Sequence, residues 1–87
     1  MAEYRVVLSS SAEKELFRLS NQAVARIFPK IEALAGNPRP PGCKKLRGSS
    51  NAWRIRIGDY RVIYAIDDDA AQVDVRRIAH RSEVYDQ

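Results

Sequence analysis

Arg54, Arg56 and Arg61 are the residues whose type and spacing first suggest chemistry. Arg54 and Arg56 alternate with Trp53, Ile55 and Ile57, so an extended chain sends the apolar set to one side and both guanidiniums to the other. Gly58-Asp59 breaks the run, and the alternation resumes from Tyr60 to Ile66 with Tyr60, Val62, Tyr64 and Ile66 in phase. That pattern predicts a tight hairpin whose second strand turns Arg61 away from its aromatic face. Folding at Gly58-Asp59 brings Arg61 beside Arg54 and Arg56. Lys44, Lys45 and Arg47 lead into the hairpin, and Arg76 and Arg77 follow it. Planar guanidinium forks match phosphate geometry bidentately and stay charged at physiological pH. The stretch from Lys44 to Tyr64 therefore reads as a phosphate-binding surface, with the five outlying cations as nucleic-acid backbone contacts.

The elements that position this hairpin follow from the rest of the chain. Tyr4 to Leu8 is short and β-branched, which predicts a first strand. Ser10 opens an S-x-x-E pattern with Glu13, a capping box for a helix carrying Ala12, Leu16 and Leu19 on one side with Phe17 beside them. Ser20-Asn21 interrupts that stripe and caps a second helix bearing Val24, Ile27, Phe28, Ile31, Leu34 and Ala35. Pro29 lies inside it and predicts a kink, because it removes one backbone hydrogen bond. Gly36-Asn37-Pro38 ends the helix, and residues 39–42 (RPPG) form a stiff loop. Asp67-Asp68-Asp69 is an acidic turn with the look of a solvated hairpin tip. A last strand runs from Gln72 to Ile78, where Ile78 falls out of phase with Val73 and Val75, so a bulge is expected near Arg76-Arg77. The order is β-α-α-β-β-β. It predicts an α+β fold in which a helical hairpin packs on one face of a small antiparallel sheet, leaving the other face open for the arginines.

Bulk properties agree with a single domain spanning residues 1–87. A chain of 87 residues with 45% hydrophobic and 30% charged side chains is ordinary for one small globular unit. The net charge is +4, but its distribution is uneven: from Arg39 to Arg81 ten Lys and Arg face five Asp. Such clustering favours a polyanionic partner. Cys43 is the sole cysteine, which excludes a disulfide framework and a multi-thiolate metal site. No His, Asp or Glu cluster has metal-ligand spacing, so no metal or other cofactor is expected. Without a secretory pattern or an apolar run near the roughly 20 residues that cross a bilayer, no membrane association is expected and a cytoplasmic location is.

The order and spacing of KLRG at 45–48, WRIR at 53–56, GDYRVIY at 58–64 and HR-x-x-VY at 80–85 resemble the RelE/ParE superfamily of type II toxin–antitoxin toxins, over nearly the whole chain. The resemblance implies a RelE-like fold, in which a curved sheet carries a basic concave surface. It also implies a cognate antitoxin, RelB-like, acidic and partly helical. RelE-type members cleave mRNA in the ribosomal A site with the RNA 2′-hydroxyl as nucleophile and no metal; ParE-type members instead poison DNA gyrase. Carried over by position, the cleavage-site cations fall on Arg54, Arg56 and Arg61, a further arginine on Arg81, and the carboxy-terminal aromatic on Tyr85. The chain departs from the RelE pattern in having Arg54 and Arg56 where that pattern has lysines.

Such a reaction requires a base for the 2′-hydroxyl, stabilisation of a phosphorane-like transition state and an acid for the departing 5′-oxygen. Arginine serves the second need and not the first, since its pKa lies above ~12. The proton carriers left are His80, the only histidine, with an ordinary pKa of about 6.5, and Lys45, were neighbouring cations to lower its pKa. Each has a plainer reading: His80 as a tail residue, Lys45 as a phosphate contact. Tyr85 would stack on a base or supply a proton, or else anchor the tail. An endoribonuclease, a gyrase inhibitor and a domain that only binds nucleic acid all fit this set of residues.

Overall fold

In a computed structural model, which describes residues 3–48 and 51–82, the elements are β1 (Arg5–Leu8), α1 (Ser10–Phe17), α2 (Asn21–Ala33), β2 (Lys44–Lys45), β3 (Ala52–Ile57), β4 (Tyr60–Asp67) and β5 (Gln72–His80). The sheet order is β1-β5-β4-β3-β2. β2 through β5 form an antiparallel meander, whereas β1 pairs with β5 in parallel, Arg5 opposite Gln72 and Leu8 opposite Val75. The sheet is thus mixed rather than antiparallel, and it has one strand more than the sequence pattern predicts. A two-residue strand such as β2 has no periodicity to read. The parallel pairing follows from the two helices, which carry the chain back across the sheet before the meander begins.

Both helices start on a serine side chain. Ser9 in extended backbone caps α1 by accepting the amide of Ala12, and Ser20 caps α2 by accepting that of Ala23, each at 3.1 Å. The first cap lies one residue before the expected Ser10. Ser9 is also held from both sides of its backbone, its amide donating to Val75 and its hydroxyl to the carbonyl of Arg76, so the strand end and not the capping-box pattern sets where α1 begins. α2 runs through Pro29 as one helix of 13 residues. Pro29 stands on the exposed side, where Ala25 can turn its carbonyl to water.

The core is the layer between the helices and one sheet face. Ala12 and Leu16 of α1 and Ala23, Ile27 and Ile31 of α2, with Leu34, meet Ile55, Ile57, Val62, Tyr64, Ile66, Val73, Val75 and Ile78. Tyr64 is fully buried and donates its hydroxyl to the carbonyl of Pro38 at 2.7 Å. Phe17 falls outside this layer and is 80% exposed, since it lies 100° round the helix from Leu16. The one-residue slip in the β4–β5 ladder comes between Ile63 and Tyr64, which pair with Arg77 and Val75 and leave Arg76 as the extra residue. This bulge sits where the alternation in the sequence breaks.

β1 stops opposite Val75, so among the described residues the last part of β5 has no strand on its outer side. A side chain from α1 fills that role. The Glu15 carboxylate accepts the amide of Ile78 at 2.8 Å and, on its other oxygen, Nε and Nη2 of Arg77 at 3.2 and 3.1 Å. A part-buried strand amide is thereby satisfied by a side chain.

Candidate nucleic-acid interface

Opposed residues in an antiparallel ladder share a face, so the register assigns every cation of the hairpin. Arg56 lies directly across from Arg61, Arg54 across from both Ile63 and Lys44, Ile63 across from Arg77, and Arg61 across from Ala79. Lys44, Arg54, Arg56, Arg61 and Arg77 consequently occupy the sheet face turned away from the helices. The core residues of β3, β4 and β5 lie on the other face. Arg81 continues the phase of Ala79; its amide donates to the carbonyl of Asp59 at 2.7 Å, and its Nε lies 3.8 Å from the Asp59 carboxylate.

That second face is less open than the alternation alone suggests. Arg54 is 4% exposed and Arg61 8%, while Arg56 is exposed. Position in the sheet explains the difference. Arg54 has cross-strand neighbours on both sides, Lys44 and Ile63, and Arg61 has Arg56 and Ala79. Arg56 lies beyond the end of β2 and has a neighbour on one side only. All three engage neighbouring groups, Arg61 donating from Nη1 to the carbonyl of Tyr60 at 3.4 Å. Like charges directly opposed across a ladder repel. An anion that reached both Arg56 and Arg61 would be attracted by two guanidinium groups at once. Partial burial strengthens that attraction by reducing solvent screening.

The remaining candidates divide. Lys45 pairs with Trp53 and His80 with Tyr60, which places both on the helix-side face of their strands, apart from the arginines. The His80 ring stands edge-on to Tyr60, with centroids 5.6 Å apart and planes at 87°. Its Nδ1 accepts the amide of Ser82 at 3.2 Å and lies 2.9 Å from the Ser82 hydroxyl, so the neutral ring carries its proton on Nε2. Arg77 is tied to Glu15, and Arg76, on the bulge, lies 3.6 Å from Asp74. Arg47 is exposed beyond β2. Tyr85 lies outside the described residues.

Two partners went unread in the sequence. Glu15 neutralises a cation 62 residues away, and Asp68, at the tip that looked merely solvated, pairs with Arg39 through Nη2 at 2.9 Å. Both pairs join residues distant in the chain, and no local pattern announces them. Among the described residues, no three His, Cys, Asp or Glu side chains come together as a metal site, and no helix is long and apolar enough to cross a membrane.

Comparison with known proteins decides the family. The family model described as the ParE toxin of type II toxin–antitoxin system, parDE, matches residues 6–85. The chain belongs to this toxin family. Relatives within the superfamily carry RelE names: the chain is 37% identical over 84 residues to Toxin RelE of Mycobacterium tuberculosis, covering 94% of this chain and 86% of that protein. The toxin–antitoxin complex RelBE2 of the same organism superposes with a TM-score of 0.80 at 28% identity, over 91% of this chain and 99% of that one. An archaeal RelE–RelB complex from Pyrococcus horikoshii superposes with a TM-score of 0.82 at 26% identity, over 94% of this chain and 99% of that one. The protein is thus the toxin component of a type II toxin–antitoxin system with a RelE-like α+β fold, and the likeness to toxins solved with RelB supports a cognate antitoxin as its partner.

Proposed function

We propose that this toxin is a ribosome-dependent mRNA endoribonuclease of the RelE kind, acting in the cytoplasm. One observation carries the reading: Arg56 and Arg61 face each other directly on the sheet face away from the helices, with Arg54 two residues along on the same face. In cleavage by the adjacent 2′-hydroxyl, the nucleophilic oxygen bonds to phosphorus as the 5′-oxygen departs, and negative charge builds on the non-bridging oxygens. Paired guanidinium forks suit that charge, each such donor being typically worth ~10²–10³ in rate. The same face offers Lys44 and Arg81 for neighbouring phosphates.

Proton transfer is where the reading becomes specific. Arginine cannot accept the 2′-hydroxyl proton, and His80 and Lys45 lie across the sheet. Among the described residues neither His80 nor Lys45 stands beside the arginines, and on this reading the A site completes the reaction. Programmed ribosomes should yield cleaved mRNA with the wild-type protein while the same RNA in free solution stays intact. Uncut mRNA on the ribosome would refute the proposal.

The matched family model, described as a ParE toxin, favours one second reading, a non-nuclease that inhibits DNA gyrase. Inhibition of supercoiling by the purified toxin would support it, and unaffected gyrase would remove it. On either reading the cognate antitoxin is an acidic, partly helical segment that covers the basic face and helices, since clustered cations steer such partners. Failure to form a stable complex with the product of the adjacent small reading frame would refute that expectation.

A further inference from the structure

The sheet end remote from the Gly58 turn carries a cluster that neither the toxin chemistry nor the core accounts for. Arg39 leaves the stiff loop after α2 and forks onto Asp68, Nη1 to Oδ1 at 3.3 Å and Nη2 to Oδ2 at 2.9 Å. Tyr4, just before β1, donates its hydroxyl to the same Oδ1 at 2.6 Å. The Arg39 guanidinium also lies 5.1 Å from the ring centroid of Trp53, within cation–π range. The loop is pinned a second time by the Tyr64 hydroxyl on Pro38. Three chain segments and an aromatic on β3 thus meet at one arginine.

What the cluster restrains is β2. That strand is two residues long and holds to the sheet through its pairing with Arg54 and Trp53 and the bond from the Leu46 amide to Ala52 at 2.9 Å. Pairing so short is marginal by itself. Pro40, Pro41, Gly42 and Cys43 alone separate Arg39 from Lys44. The Cys43 amide folds back onto Pro40 at 3.0 Å, and two prolines leave the segment little freedom. Fixing Arg39 therefore fixes where β2 meets β3, and with it which cation stands opposite Arg54.

We propose that Arg39, Asp68 and Tyr4 form a clasp that positions Lys44 on the arginine face, so that a carboxylate on the far side of the sheet raises affinity for single-stranded RNA. The inference rests on the functional reading above. Asp68 is a positioning residue, and its effect has an unusual sign. Removing an exposed carboxylate from a basic protein should tighten binding to a polyanion through net charge alone; loss of the clasp should weaken it.

The experiment compares wild type, Asp68→Asn, Asp69→Asn, Lys44→Ala and Asp68→Asn/Lys44→Ala, using a short single-stranded RNA oligonucleotide as the probe. A single phosphate contact on a single strand is worth about 4-fold in affinity at 0.15 M salt, from a salt slope of ~0.7. D68N and K44A should each lose about that factor, and the double variant should be no weaker than K44A. Asp69→Asn removes a neighbouring charge outside the clasp and should leave affinity equal or slightly higher. D68N binding as tightly as wild type, or tighter, would overturn the proposal. Amide hydrogen exchange at Leu46 tests the clasp with no RNA present. Faster exchange in D68N but not in D69N supports it, and unchanged exchange overturns it. A wild-type protein that binds no RNA, with Leu46 still deprotected in D68N, would refute the nucleic-acid reading while upholding the clasp.

Discussion

Replacing Glu15 should separate stability from RNA affinity in opposite directions. In Glu15→Ala the amide of Ile78 loses its acceptor in a part-buried bond, and a donor left unsatisfied costs about 1–3 kcal/mol. The ion pair with Arg77 adds less, since the Arg77 side chain is 45% exposed and Glu15 23%, which puts it in the range of about 0.2–1 kcal/mol for screened pairs. Together these give about 1–4 kcal/mol for Glu15→Ala. Glu15→Gln keeps a carbonyl oxygen for Ile78 and loses only the charge, so it should cost about 0.2–1 kcal/mol. Urea denaturation at neutral pH reads both, as a fall in midpoint with unchanged slope. Arg77 is released in each variant, on the face that holds Arg54 and Arg61. Affinity for single-stranded RNA should rise about 4-fold, the worth of one added phosphate contact at 0.15 M salt. Equal destabilisation by the two substitutions would refute the edge-capping role, and unchanged RNA affinity would refute the release of Arg77.

Three further outcomes follow from single contacts. Tyr64→Phe removes the bond to the buried Pro38 carbonyl and should lower unfolding free energy by about 1–2 kcal/mol in urea. Ala71 has φ 52°, a conformation that costs a side-chain-bearing residue about 1–2 kcal/mol; after the entropy glycine adds to the unfolded chain, Ala71→Gly should stabilise by about 0.5 kcal/mol. The hydrogen bond from Arg39, and then that from Tyr4, holds the Asp68 carboxyl below its ordinary value of 3.8, so its contribution is complete above that value and disappears as pH falls through the lowered one. The bond to Asp68 raises the Tyr4 phenol above 10.0, so its contribution is complete below that value and fades as pH rises through the raised one. Emission from Trp53, the only tryptophan, should therefore hold steady between about pH 5 and 9 and change once pH falls below 3.8 or rises above 10.0, and a sloping response between about pH 5 and 9 would contradict the clasp.

How much of this was legible in the sequence depends on how far apart the interacting residues lie. The alternation around Gly58 correctly put Arg54, Arg56 and Arg61 on one face, because a two-residue turn fixes register and Gly58, at φ 60°, supplies the backbone it needs. The phase break at Ile78 located the bulge for the same local reason. The serine caps were readable to within one residue. Burial of Arg54 and Arg61 was not, since it depends on which strands flank β3 and β4. His80 and Lys45 were candidates by residue type, yet ladder register turned them toward the helix side, and that register is shifted by the bulge and by a strand too short to have a period. Phe17 and Phe28, apolar in type but 80% and 42% exposed, show that an apolar stripe can extend past the face it buries. Glu15 with Arg77 and Arg39 with Asp68 are invisible before folding.

The central claim is that opposed arginines on the sheet stabilise charge in mRNA cleavage. Its most direct test is the cleavage rate of mRNA on programmed ribosomes by wild type and Arg61→Ala, the variant's fold being checked by its urea midpoint. Cleavage by the wild type is expected, with a rate lower by ~10²–10³ in Arg61→Ala. Wild-type protein that leaves ribosome-bound mRNA intact, or a folded Arg61→Ala that cuts at the wild-type rate, would contradict it.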